Sequence, residues 1–210
     1  MNRVIVVASK NPKKLRELNE VLAACGVACE SLDAYPDMPE AEETCDTFVG
    51  NARQKATYYA RATGQWALAD DSGLVVDALD GAPGVYSARY AAERCGDDAP
   101  RETQDAANNA KLLDELDGVP DEKRTARFVC QLALSDGETI LAEARGEMEG
   151  RISATPAGAG GFGYDPLFFL PEHGCSSAEI SADEKHAISH RGKALRKFAA
   201  MLVGILEDHS

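Results

Sequence analysis

The chain has 210 residues, enough for one large domain or two small lobes, and its 44% hydrophobic and 27% charged residues are ordinary for a globular protein. Lys and Arg number 22 against 35 Asp and Glu, a net charge of −13, which repels a phosphate backbone and argues against nucleic acid as a partner. A small anionic substrate would then need a local cluster of positive charge.

Arg3–Ala8 reads as a Val- and Ile-rich strand. It is too short for a signal-peptide core or a membrane span, and no later apolar run approaches one, so a cytoplasmic protein without a membrane partner is expected. Asn11 and Pro12 look like an N-cap and first helical residue, opening a helix with Leu15, Leu18, Leu22 and Cys25 on one stripe. Gly26 stops it, and Val27–Leu32 reads as a second strand. The acidic loop DAYPDMPEAEET leads into a helix from about Asp46 to Ala62, closed by Gly64. Trp66–Ala69 is a short strand running into Asp70 and Asp71, with a turn expected at Ser72-Gly73 and a further strand in LVVDAL. GAPGVYSARY is turn-rich, and a helix follows over Glu102–Leu116, ending at Gly118 and Pro120.

Thr125–Leu134 alternates, Asp136-Gly137 signals a hairpin, and Thr139–Glu147 returns. Pro166–Leu170 is a short apolar strand, Ser181 and Glu184 form a capping-box pair, and Leu195, Phe198, Leu202 and Ile205 mark a final helix. The fold class is α/β with a mixed sheet, in one domain without a linker. Cys25, Cys29, Cys45, Cys95, Cys130 and Cys175 lack the spacing of a disulfide scaffold or zinc ribbon and read as free thiols.

Four segments carry chemistry. Ser9, Lys10, Asn11, Pro12, Lys13 and Lys14 stand where a strand hands over to a helix, and unpaired N–H groups, the helix dipole and the lysines all favour a phosphate there. Glu40, Glu42 and Glu43, together with Asp70 and Asp71, are the acidic counterparts. Adjacent carboxylates repel, and Mg²⁺ bound by one or two of them plus substrate phosphates relieves that repulsion, leaving another free to deprotonate a water. Ser189 caps a helix whose first turn holds His190, Arg191 and Lys193, implying an anionic or carbonyl-rich ligand. His186 and His190 lie four apart, but Ser189 breaks the helix between them, and no zinc-site spacing is present.

Gly158, Gly160 and Gly163 match G-x-G-x-x-G, yet Pro166 and an apolar strand follow where a dinucleotide-binding turn needs a helix. These glycines are expected to let the backbone pass close to a flat ligand.

The motifs S-x-N-x-x-K (Ser9, Asn11, Lys14), AEET, ADDSGL, GAPGVYSARY, GGFGYDP and ISHRGKAL run in the order found in the Ham1-like purine nucleoside triphosphate pyrophosphatases, which the chain resembles from Ser9 to Leu195. The resemblance implies Mg²⁺-dependent hydrolysis of ITP, dITP or XTP to the monophosphate and pyrophosphate. It also implies an elongated α/β fold with two lobes and a cleft between them, assembled as a homodimer. By motif, Ser9–Lys14 would bind the triphosphate, and Glu42, Glu43, Asp70 and Asp71 would serve the metal. Asp71 would be the general base and Ser72 would touch substrate. Phe162, Gly163, Tyr164, Asp165, Lys185, His190 and Arg191 would surround the base. Gly50 departs from the pattern, since relatives often carry an acid there. A nucleotide-binding regulator without turnover and a pyrophosphatase for other modified nucleotides are the alternatives.

Overall fold

Alternating apolar residues and helical stripes build a mixed sheet of seven strands among the described residues. The structure, a computed structural model, describes residues 4–9, 12–96 and 99–209, with only the backbone of Pro12 and Lys13. Arg3, Lys10 and Asn11, including the expected N-cap, lie outside the described residues. In chain order the elements are β1 (Val4–Ala8), α1 (Pro12–Ala24), β2 (Ala28–Ser31), α2 (Phe48–Thr63) and β3 (Trp66–Val76). Then come α3 (Ala92–Cys95), α4 (Arg101–Glu115), β4 (Thr125–Ser135), β5 (Ile140–Ile152), β6 (Phe168–Leu170), β7 (Cys175–Ser176), α5 (Ala182–Ile188) and α6 (His190–Asp208).

The sheet order is β2-β1-β3-β4-β5-β6-β7, with β1 parallel to both neighbours and β6 antiparallel to both of its own. Local chemistry sets the boundaries. Thr47 caps α2 by accepting the Gly50 N–H at 3.2 Å, and Gly64 ends it at φ +67°, a conformation glycine adopts without steric cost. Asp136 accepts the N–H groups of Glu138 and Thr139 and so closes the β4–β5 turn. Ser181 and Glu184 form the capping box of α5. Ser189 is extended, at φ −63° and ψ 153°, and separates α5 from α6. The six cysteines are free thiols.

One sequence expectation fails. No turn forms at Ser72-Gly73, because β3 runs unbroken for 11 residues. What reads as two short strands with turn chemistry between them is one strand, its buried residues continuing on both sides of Ser72.

The chain divides into two compact units. The first holds residues through Asp71, Cys130–Gly146 and Arg191 onward; the second holds Ser72–Val129 and Glu147–His190. In the first, Leu18 and Leu22 of α1 and Leu195 and Phe198 of α6 cover one face of the strands, against Ile5 and Val7. Ala52, Ala56 and Tyr59 of α2 cover the other, against Val6 and Ala8. In the second, Leu112 and Leu116 pack with Leu74, Phe128, Tyr164 and Phe168. No described helix is long and apolar enough to cross a membrane.

Candidate active site

Because β3 is continuous, its side chains alternate strictly between faces through the acidic pair. Trp66 and Leu68 belong to the α1/α6 face, and Ala67 and Ala69 to the α2 face. Asp70 continues the first series and meets Lys14 of α1, whose Nζ donates to Oδ2 at 2.7 Å. Asp71 continues the second series and accepts Asn51 Nδ2 of α2 at 3.0 Å. Both aspartates are buried.

The two environments push these neighbours apart. Burial alone would raise the Asp70 pKa, but the charges of Lys14, Arg191 and Lys55 overcome it and hold the carboxyl well below the ordinary range. For Asp71, burial again raises the pKa. Lys55 and the Asn51 hydrogen bond oppose that rise, Glu43 and Asp70 add to it, and the net shift is upward. Adjacent carboxylates with opposite shifts are the usual physical basis for dividing acid–base roles.

Lys55, one turn after Asn51, donates to Glu43 Oε1 at 2.6 Å. Burial disfavours its ammonium, and the charges of Asp70, Asp71 and Glu43 outweigh that penalty, so its pKa is raised. Glu43 thereby joins the cluster, whereas Glu40 and Glu42 are exposed. The Cys45 N–H donates to Asn51 Oδ1 at 2.9 Å and holds the amide with its donor toward Asp71. At Gly50, where the resemblance leads one to expect an acid, a Cβ would lie 2.6 Å from the Cys45 Cβ, so this loop leaves no room for a side chain. Arg191 is buried, with Nη1 3.5 Å from Glu17, and its Nε has no hydrogen-bond partner among the described residues. Ser9 and Ser72 are half-buried.

A second group lies in the other unit. Asp165, buried, accepts the Phe162 N–H at 2.8 Å and the Ser177 hydroxyl at 3.1 Å, and it pairs with Lys185. The Lys185 ammonium stands 5.7 Å from the centroid of the Phe162 ring, which is 38% exposed. Tyr164 is buried and donates its hydroxyl to Ser87 O at 2.9 Å. His190 stacks on Phe128 at 5.1 Å. The glycine run is followed by β6, not by a helix. Its glycines make room for the protein itself: a Cβ at Gly158 or Gly160 would sit 2.7 Å from the Ala178 backbone, and one at Gly161 would collide with Asp165. Only Gly163 of this run faces open space, at φ +63°. Close packing on residue 178 thus accounts for glycine at positions 158 and 160.

A model described as the Ham1 family matches residues 5–201. The chain belongs to the Ham1 family. This Ham1 chain is 55% identical over 195 residues to the dITP/XTP pyrophosphatase of Nitratidesulfovibrio vulgaris, covering 92% of each. It is 49% identical over 205 residues to the dITP/XTP pyrophosphatase of Geobacter sulfurreducens, covering 98% of this chain and 95% of that one. A solved Ham1 protein from Coxiella burnetii superposes with a TM-score of 0.86 at 41% identity, over 96% of this chain and 99% of that one.

Within this Ham1 chain, Asn51 and Lys55 are the site residues that sequence reasoning missed. Their only signal is an i, i+4 polar pair beside the Ala52–Ala56 stripe, a pattern that a solvated helix face shows equally well.

Proposed function

We propose that the protein hydrolyses non-standard purine nucleoside triphosphates, ITP, dITP and XTP, to the monophosphate and pyrophosphate. The observation that carries this reading is the split pair on β3, with Asp70 locked by Lys14 and Asp71 left at a raised pKa beside Asn51 and Lys55. Membership of a family whose members include dITP/XTP pyrophosphatases supports it.

Asp71 takes the proton from the attacking water, while Asn51 donates to its Oδ2 and holds the carboxylate in place. Lys14 and Lys55, with Ser9, Lys10, Asn11, Pro12 and Lys13 ahead of them, hold the triphosphate and offset charge building on it. A divalent cation, Mg²⁺ by its preference for carboxylate and phosphate oxygens, fits Glu43 and Asp71. Both meet α2, Glu43 through Lys55 and Asp71 through Asn51, and the Glu43 charge adds to the rise in the Asp71 pKa. Asp70, turned to the other face, balances the lysines, and Glu42 stands outside the cluster. When bound, the cation would supply Lewis-acid neutralisation of the phosphates. Among the described residues no group of three acids, histidines or cysteines gathers to hold a metal.

Phe162 offers the exposed ring on which a purine stacks, while Gly163, Tyr164 and Asp165 fix its loop and Lys185 stands over it, and His190 stacks on Phe128. A donor such as the Lys185 ammonium pairs with a carbonyl at the purine 6-position and leaves an amine unmatched. Ser72 contacts the substrate next to Asp71.

The test is pyrophosphate release from ITP, dITP and XTP against ATP. Chelating the divalent ion is expected to lower turnover by about a hundredfold or more, the equivalent of several kcal/mol of charge stabilisation, with recovery on adding Mg²⁺. Nucleotide binding without pyrophosphate release would instead identify a regulator.

A further inference from the structure

Gly163, the residue after the exposed Phe162, has both of its backbone groups held by one helix. Asp105 Oδ2 of α4 accepts the Gly163 N–H at 2.8 Å, and Asn109 Nδ2 donates to the Gly163 carbonyl at 2.9 Å. Asp105 and Asn109 are four residues apart, so they project from one face of α4 one turn from each other. Their reach therefore matches the N–H and C=O of a single residue.

The clamp is itself braced. The other oxygen of Asp105 lies 3.0 Å from Arg101 Nε, close enough for an ion pair though not aligned as a hydrogen bond. The side chain of Asp105 is only 15% exposed, so its bond to Gly163 is sheltered from competing water. Gly163 sits at φ +63° with nothing near its missing Cβ. Sterics do not force this left-handed turn on the loop; the two bonds from α4 hold it.

Phe162 is thus pinned from both sides. Its own N–H goes to Asp165, and the next residue is gripped by α4. Two residues after Phe162, Tyr164 is anchored to Ser87. The ring is left exposed while the peptides around it are fixed, which is what a preorganised stacking platform requires.

We propose that Asp105 and Asn109 are positioning residues for base selection: they set the direction of Phe162 and thereby the preference for hypoxanthine or xanthine over adenine. This rests on the assignment of Phe162 to the base. Neither side chain acts on the reacting phosphates, so loss of the clamp is felt in binding and discrimination more than in the chemical step.

The experiment compares kcat and KM for ITP and ATP in the wild type, Asp105→Ala, Asn109→Ala and Asp105→Asn. Each alanine variant is expected to raise KM for ITP about fivefold to tenfold, as loss of one sheltered hydrogen bond does, with kcat changed less. The ratio of kcat/KM for ITP over ATP should narrow by a similar factor. Asp105→Asn keeps an acceptor for the Gly163 N–H and should retain the wild-type ratio. The double alanine variant should cost less than the product of the single effects, because both bonds hold one residue. Amide exchange at Gly163, faster in Asp105→Ala and not in Asp105→Asn, reports the clamp directly. Asn109→Ser serves if Asn109→Ala fails to fold. Turnover of ITP with an unmoved ratio in the alanine variants, or an Asp105→Asn enzyme as impaired as Asp105→Ala, overturns the inference alone. A wild type that does not hydrolyse ITP overturns the proposed activity and the inference with it.

Discussion

Asp71→Asn should lower kcat for ITP by about 10³-fold, in the middle of the range that a positioned general base supplies. The substitution is isosteric, and the new amide oxygen can still accept the Asn51 Nδ2 that Asp71 accepts at 3.0 Å. Packing on the α2 face is therefore preserved, while the group can no longer take a proton from water. KM should move far less than kcat, since Lys14 and Lys55 remain to hold the phosphates. Asp70→Asn is the informative comparison. Asp70 is already committed to Lys14, and its pKa is driven down by Lys14, Arg191 and Lys55 against the effect of burial. Its loss should disturb the lysine more than the proton transfer, and so raise KM. Steady-state kinetics with pyrophosphate detection checks both. A kcat for Asp71→Asn within about tenfold of wild type would remove Asp71 as the base.

Lys55→Met should destabilise the fold by about 3 kcal/mol, the lower end of the cost of breaking a buried ion pair. The lower end applies because the Lys55 side chain keeps 14% exposure and that of Glu43 keeps 27%. For a chain of this size that corresponds to a fall in Tm of roughly 6–12 °C. Methionine fills much the same volume, so the loss is electrostatic: Glu43, Asp70 and Asp71 lose a shared counter-charge. The pH dependence follows from Asp71. Its pKa in the fold is raised, by burial first, above the unfolded value of about 3.9. Between those two values the folded state holds the extra proton, so acidification favours folding. Without Lys55 the rise is larger, and the deficit of the variant should be greater at pH 7 than at pH 5. Added Mg²⁺ should recover part of it. Thermal melts at the two pH values, with and without the metal, test this; a Tm equal to wild type at pH 7 would show that Lys55 does not balance the cluster.

The elements of the fold were largely legible because their signals are local. Gly64, Ser181 and Ser189 end or begin helices by their own side chains or backbone freedom. Ser72-Gly73 misled for the opposite reason. Serine and glycine favour a turn when isolated, but in β3 the burial of residues on both sides keeps the strand extended. That error mattered for chemistry, since a turn would have sent Asp70 and Asp71 to one side. The continuous strand gives them different partners and different proton affinities. Acid motifs were visible as charge in an apolar setting, whereas Asn51, Lys55, Asp105 and Asn109 were not. Each is a polar residue on a helix, and only tertiary contact shows that it faces inward.

Cys45 and Gly50 have a consequence for how this sequence can change. The Cβ atom of one occupies the place that any side chain on the other would need. A side chain cannot enter position 50 by a single step while Cys45 keeps its Cβ and Sγ where they are. The two sites are locked into an order of replacement: the side chain at residue 45 must shrink first, as in Cys45→Gly, which leaves the N–H that orients Asn51 in place. This chain is thus held to glycine at position 50 by the side chain of a neighbouring loop.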